Sequence, residues 1–246
     1  MVEATGAKVG AGGGEAGALS GLLIVDKPHD LTSMTVCRAV KRRLVNAGFP
    51  KKTKVGHGGT LDPLATGVMV VLVGRACKRC DEVMAGEKRY TAEIDLSKRS
   101  STDDREGDIT QLSFARSPTR EEVDRVIAGF VGEIRQRPPA HSAIWIDGER
   151  AYHMAREGRA PVMAERTVFV RSIEVLEYAF PLLRLDVRCG KGTYIRSLAR
   201  DIGAALGVAG MLSALRRTAV GEFTIARGVG LEGLPEKLTQ ADLLPG

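Results

Sequence analysis

Apolar and polar positions along this chain follow two different periods, and each period marks an element. From Gly21 to Val25 a short apolar run stops at Pro28, which predicts a strand. Thr32 or Ser33 then offers a helix cap, and Val36, Val40 and Leu44, spaced four apart, give the following helix one buried face. Its other face carries Arg38, Lys41 and Arg42. The stretch Gly56–Gly67 is too rich in Gly and Pro for a regular element, so it is a loop, and it leads into Val68–Val73, an unbroken apolar run expected as a core strand. Tyr90, Ala92, Ile94 and Leu96 alternate with polar neighbours, predicting a half-buried strand, and the polar stretch Ser97–Thr110 is expected as a loop. Thr119 with Glu122 makes a capping box before Val123, Val126, Ile127 and Phe130, an amphipathic helix expected to end near Gly132. A strand pair at Val168–Leu176 and Leu182–Cys189 precedes a helix marked by Ile195, Leu198, Ala199, Ile202 and Leu206 and closed by Gly207. Strands and helices mix without a regular βαβ beat. The predicted class is therefore α+β, with a mixed, mostly antiparallel central sheet flanked by helices and loops.

Length and composition narrow this picture. At roughly 150 residues per domain, 246 residues make one large domain or one domain with an appendage. Residues 1–20 hold six glycines, five alanines and no aromatic residue, too little apolar surface to offset ordering entropy, and are expected as a disordered tail. Hydrophobic residues at 43% and charged residues at 27% are globular proportions. The longest apolar run, Val68–Val73, is far short of the roughly 20 residues that span a bilayer. Without an early apolar block a secretory signal is not expected either, and the protein is read as cytoplasmic. Cys37, Cys77, Cys80 and Cys189 are too few for a disulfide framework and are read as free thiols.

The net charge of +6 is local rather than spread. Arg38, Lys41, Arg42, Arg43, Lys51, Lys52 and Lys54 follow one another with no acid between them. Across residues 31–80 the single carboxylate is Asp62. Such a run is either a solvated face or a surface for a polyanion.

Several motifs fail on spacing. Cys77-Lys78-Arg79-Cys80 has no second ligand pair, so no metal site is expected. In Gly190-Lys191-Gly192-Thr193 a glycine separates the lysine from the threonine, so the Walker pattern is broken, and Gly56-His57-Gly58 lacks the third glycine of a dinucleotide fingerprint. No nucleotide cofactor is expected. Asp62 is different. An Asp-Pro pair in a Gly-rich loop is ordinarily a turn former. Here it is the lone acid in chain suited to polyanions, beside a strand able to hold it rigidly, and a carboxylate that repels phosphate implies chemical work.

Four blocks together, Gly21-Leu22-Leu23-Ile24-Val25-Asp26-Lys27-Pro28, the Gly56–Gly67 loop, Lys88-Arg89-Tyr90 and Cys189-Gly190-Lys191-Gly192-Thr193-Tyr194-Ile195-Arg196, resemble the TruB-type tRNA pseudouridine synthases from about Gly21 to Phe223. The resemblance implies a pseudouridine synthase catalytic domain over 21–230 and a C-terminal tail over 231–246 without a full RNA-binding domain of the PUA type. It implies isomerisation of uridine-55 in the tRNA T-loop, with no cofactor or metal; tRNA is the expected partner, no obligatory protein partner is expected, and a monomer is the default. By the same resemblance Asp62 is the catalytic carboxylate, Tyr90 stacks on the target base and Arg196 pairs with Asp62. The carboxylate has three routes: addition to C6 of the uracil, attack on C1′ of the ribose, or removal of the 2′ proton. Tyr194 and Leu215 match residues that line the pocket for the flipped base, which must leave its stack before an enzyme can reach it. His57 matches a histidine that holds the T-loop, and Lys27 and Lys78 are expected at phosphates near the site. The basic residues Arg38, Lys41, Arg42, Lys51, Lys52 and Lys54 then become the surface facing the RNA backbone.

The chain departs from the family pattern at Asp30, at Ser97 and Ser101, at His141 and Trp145, and at Met211. Two other readings stand beside the enzyme. One is the guide-RNA-dependent ribosomal RNA synthase of the same family, which relies on a C-terminal domain and protein partners; the other is a non-catalytic tRNA-binding or folding module.

Overall fold

The computed structural model describes residues 19–159 and 161–245, so the tail expected over 1–20 lies, but for its last two residues, outside the described residues. β1 (Ser20–Lys27) leads through a short loop into α1 (Ser33–Asn46). The Thr32 hydroxyl accepts the Thr35 N–H at 3.1 Å and caps that helix. β2 (Val55–His57), the Gly-rich loop and β3 (Thr66–Gly74) follow, then a short α2 (Cys80–Ala85) and β4 (Lys88–Asp95), whose alternating burial matches its sequence pattern.

The expected loop at Ser97–Thr110 instead contains a small hairpin, β5 (Lys98–Ser100) with β6 (Ile109–Gln111). These strands are short and largely exposed, so no apolar alternation announces them. α3 (Arg120–Ala128) has the predicted capping box and stops at Gly129, while Gly132 opens β7 (Gly132–Gln136). A second hairpin, β8 (Trp145–Ile146) with β9 (Glu149–Arg150), turns on Asp147 and Gly148, both at positive φ, and runs into α4 (Ala151–Arg156). The predicted strand pair is β10 (Arg166–Ala179) and β11 (Leu182–Cys189), followed by α5 (Ile195–Ala205). β12 (Met211–Val220), β13 (Phe223–Thr224) and β14 (Val229–Gly230) complete the sheet.

The main path of the sheet runs β14-β1-β3-β12-β4-β11-β10-β7. Its strand pairs are antiparallel except β1 with β14 and β3 with β12, so the predicted mixed, mostly antiparallel α+β class holds. β3 and β12 pair through only two registered positions, Thr66–Arg216 and Gly67–Arg217. That short junction joins two broader half-sheets beneath the functional residues. α3 and α5 bury Val123, Ile127, Leu198 and Ile202 against β4 and β11 on one half. α1 buries Val36, Val40 and Leu44 against β1 and β3 on the other. Residues 231–243, expected as a tail, pack on α1 through Leu234, Leu238 and Leu243, and Leu238 N–H bonds to Arg43 O at 3.2 Å. Among the described residues no helix is long and apolar enough to cross a membrane.

Candidate active site

The loop between β2 and β3 has no regular hydrogen-bond ladder of its own, and three side chains from elsewhere supply one. Ser33 Oγ, in the first turn of α1, donates to Leu61 O at 3.0 Å and accepts Leu61 N–H at 2.9 Å. Lys27, at the end of β1 and 0% exposed, gives its three protons to Pro28 O, Leu31 O and Pro63 O at 2.8–3.1 Å. Arg217 of β12 donates to Gly59 O, Thr60 O and Val68 O at 2.7–3.3 Å. Gly67 closes the loop at φ +101°, where a Cβ would stand 2.1 Å from Arg217 O, so only glycine fits.

Held this way, Asp62 meets Arg196, which projects from the first turn of α5, with Oδ2 2.9 Å from Nε. The contact is one of charge; the Nε–H is not aligned as a hydrogen bond. The arginine is 5% exposed and the aspartate 34%, so one partner is fixed in the protein and the other faces open space. Arg196 is fixed by Thr102 O at 3.1 Å, His141 O at 3.0 Å and the buried Asp104 carboxylate at 3.4 Å. Removal from water pushes the Asp62 carboxyl above the usual carboxylate range; Arg196 pulls it down and Asp104 pushes it further up.

The open space is a cleft of about 870 Å³. Tyr90 of β4 and Leu215 of β12 lie in its wall, both nearly buried. Burial raises the Tyr90 phenol above its ordinary value against the pull of Arg217, so it stays neutral at working pH. A carboxylate held by an arginine, beside a flat ring and an aliphatic wall, can receive a planar heterocycle and act on the atoms it presents.

A family profile described as TruB family pseudouridylate synthase, N-terminal domain, matches residues 42–195, and one described as tRNA pseudouridylate synthase B, C-terminal domain, matches residues 196–243. The chain belongs to the TruB family. A TruB relative from a Caulobacter species, named tRNA pseudouridine synthase B, is 46% identical over 92% of this chain and 71% of its own length. Another of that name, from Parabacteroides distasonis, is 42% identical over 89% of this chain and 93% of its own. Among solved structures, a chain in the crystal structure of a Cbf5–Nop10–Gar1 complex superposes with a TM-score of 0.66 at 32% identity, over 86% of this chain. This chain spans about half of that one, 52% of its length.

Against the TruB resemblance the structure sorts the expected residues. Asp62, Tyr90, Arg196, His57, Tyr194 and Leu215 all border the same cleft. His57 ends β2; burial and then the Arg217 charge lower its pKa, leaving the ring neutral. Tyr194 caps α5, its backbone held on both sides by the Gln136 side chain at 2.8 and 3.1 Å, with Arg166 over its ring at 5.0 Å.

Lys27 is a correction. Fully buried and with every proton on a carbonyl, it is a strut under the loop and meets no phosphate. Lys78 is exposed on the turn after β3, away from the cleft lining. Arg38, Lys41 and Arg42 lie along α1 beyond the first turn that touches the cleft, and Lys51, Lys52 and Lys54 on the loop before β2.

Three residues that the TruB blocks did not single out for the site belong to it. Asp104 fixes Arg196; it stands in the polar stretch after β4, where no periodicity marks a role. Arg217 ties the loop to the sheet, and a buried arginine inside a strand is not readable from spacing. Lys88 borders the cleft, bonded to Met84 O and Gly86 O, and burial lowers its pKa to about 8; it sits two residues before Tyr90, in the block that carries the tyrosine.

Proposed function

We propose that this chain converts uridine to pseudouridine in the T-loop of tRNA (uridine-55), in the cytoplasm, as a monomer without metal, cofactor or obligatory protein partner. The observation that carries the reading is the Asp62–Arg196 pair at 2.9 Å, opening onto a cleft bordered by Tyr90 and Leu215. The names of the Caulobacter and Parabacteroides relatives supply the substrate class.

The isomerisation breaks the N1–C1′ bond of the nucleotide and makes C5–C1′. A proton leaves C5, N1 gains one, and no electrons are exchanged with a second reactant. The uridine flips out of its loop into the cleft, where Tyr90 stacks on it and Leu215 and Tyr194 close around it. Asp62, whose anion Arg196 favours against the cost of burial, acts at C6, at C1′ or at the 2′ proton; each route needs a carboxylate on one side of the nucleotide with its rotamer fixed. Neutral His57 supports the rearranged T-loop at the rim, and the basic face of α1 attracts the RNA backbone from outside the cleft.

The test is tritium release from tRNA transcripts labelled at uridine C5, because forming the new glycosidic bond expels that hydrogen. The wild type is expected to release about one equivalent per tRNA, and Asp62→Asn none, with tRNA affinity within a few-fold. No release from wild type that still binds tRNA would replace the enzyme with a binding module. Release that appears only when a guide RNA is added would favour the guided branch, whose fold the Cbf5–Nop10–Gar1 comparison brings close.

A further inference from the structure

Around the cleft three arginines lie over aromatic rings: Arg166 on Tyr194 at 5.0 Å, Arg156 on Tyr152 at 5.6 Å and Arg150 on Trp145 at 4.3 Å. All three arginines and both tyrosines border the cleft, whereas Trp145 stands just beyond its lining and is 60% exposed. A single exposed apolar residue needs no explanation by itself; what sets Trp145 apart is an open indole with a guanidinium stacked on it at 4.3 Å beside the cleft. The hairpin that presents it is well fixed. Trp145 and Arg150 are directly opposed across β8 and β9, the Arg150 guanidinium also bonds to Ala143 O, and Ala151 N–H bonds to Ile144 O at 2.8 Å. His141, four residues before Trp145, gives its carbonyl to Arg196. The exposed indole is thus tied through a short stretch of chain to the arginine that holds Asp62.

We infer that Trp145, backed by Arg150, is a stacking platform for a second, unpaired nucleobase of the RNA, outside the pocket that takes the target uridine. Arg150 covers one face of the indole and leaves the other open to a base. An aromatic face with a cation behind it is the surface that unpaired nucleotides use, since every base has a π-face and a charged backbone next to it. Arg150, Arg156 and Arg166 all border the cleft, so cations for a phosphate backbone are present at its wall as well as behind the indole. This inference rests on the RNA substrate proposed above.

The test uses the fact that Trp145 is the sole tryptophan in the chain. A tRNA transcript is titrated into full-length Asp62→Asn protein while indole emission is followed, and binding is measured independently by gel mobility. Saturable quenching with the same midpoint as the mobility shift is expected. Trp145→Ala is expected to weaken binding about 5- to 100-fold, and Trp145→Phe, which keeps a flat ring, to recover most of that loss. Unchanged emission with tRNA bound, or Trp145→Ala binding within two-fold of the parent, overturns the platform. Quenching by a protein whose wild type releases no tritium overturns the isomerase and leaves the platform standing. No binding in either assay overturns both.

Discussion

At the scale of single residues, Asp62 is a group whose working form the fold disfavours. Its carboxyl is pushed above the unfolded value by burial, so the folded state favours the proton and loses stability as pH rises past the unfolded pKa. Asp62→Asn, permanently neutral, is therefore expected to melt at a higher temperature than wild type near pH 7. The gap should shrink as the pH is lowered from the raised folded pKa toward the unfolded value of about 3.9, and be gone below it; melting curves across pH check it. Lys27 and Lys88 have the opposite sign. Burial lowers both to about 8 in the folded protein, while the unfolded chain holds those protons to about 10.4. In that window the unfolded state binds more protons, so stability climbs with pH, by up to roughly 3 kcal/mol for each lysine. Denaturant unfolding of Lys88→Met should show a flatter rise from pH 8 to 10 than wild type. Asp62 can be read from the sequence because it is one acid among ten cations. Asp104 cannot, because its role depends on an arginine 92 positions later that reaches back to it. Lys27 misleads for a related reason: a lysine buried on three carbonyls and one facing phosphate look the same until the fold supplies the carbonyls.

Elements show the same division between local and distant causes. α1, α3 and β4 are legible because their patterns are complete within a few turns: four-residue spacing, a capping box, clean alternation. In α3 the Thr119 hydroxyl accepts Glu122 N–H and the Glu122 carboxylate accepts Thr119 N–H, so two end groups are satisfied at once. Thr119→Ala is expected to lower stability by about 1 kcal/mol, read as a shifted denaturant midpoint with an unchanged slope. β12 leaves no such pattern although it lies between β3 and β4. Register shifts at Leu212/Ala214 and Arg217/Ala219 break its alternation, and the buried Arg217 occupies a position where a strand pattern calls for an apolar side chain. Between the two bulges Arg217 faces the loop after β2 and bonds to Val68 O, while its neighbour Arg216 faces the other way and reaches Asp26 at 2.7 Å. The buried arginine that breaks the strand's apolar pattern is the one that ties down the Asp62 loop.

For the whole molecule, the site sits where two half-sheets join through two registered positions, and each half has its own core. α1 belongs to the half completed by residues 231–243. Removing everything after Gly230 uncovers the surface that Leu234, Leu238 and Leu243 bury, at about 1.5–3 kcal/mol per leucine. The truncated chain is expected to melt roughly 10 °C or more lower, and scanning calorimetry would show it. The α+β class and the basic stretch are visible in the sequence, but the packing of residues 231–243 depends on partners near the other end of the chain. That dependence bears directly on β1. Its inner edge meets β3 within the first third of the chain, but its outer edge is covered by Val229, Gly230 and Leu244, and Ser20 bonds to the side chain of Gln240, 220 residues away. In chain order this edge is made about 200 residues before the segments that cover it. Until those segments are present it is an open row of amides beside an apolar strand, a template for pairing with a neighbouring nascent chain. Slower elongation between β1 and the segments that cover it would lengthen that interval and raise the loss to aggregation.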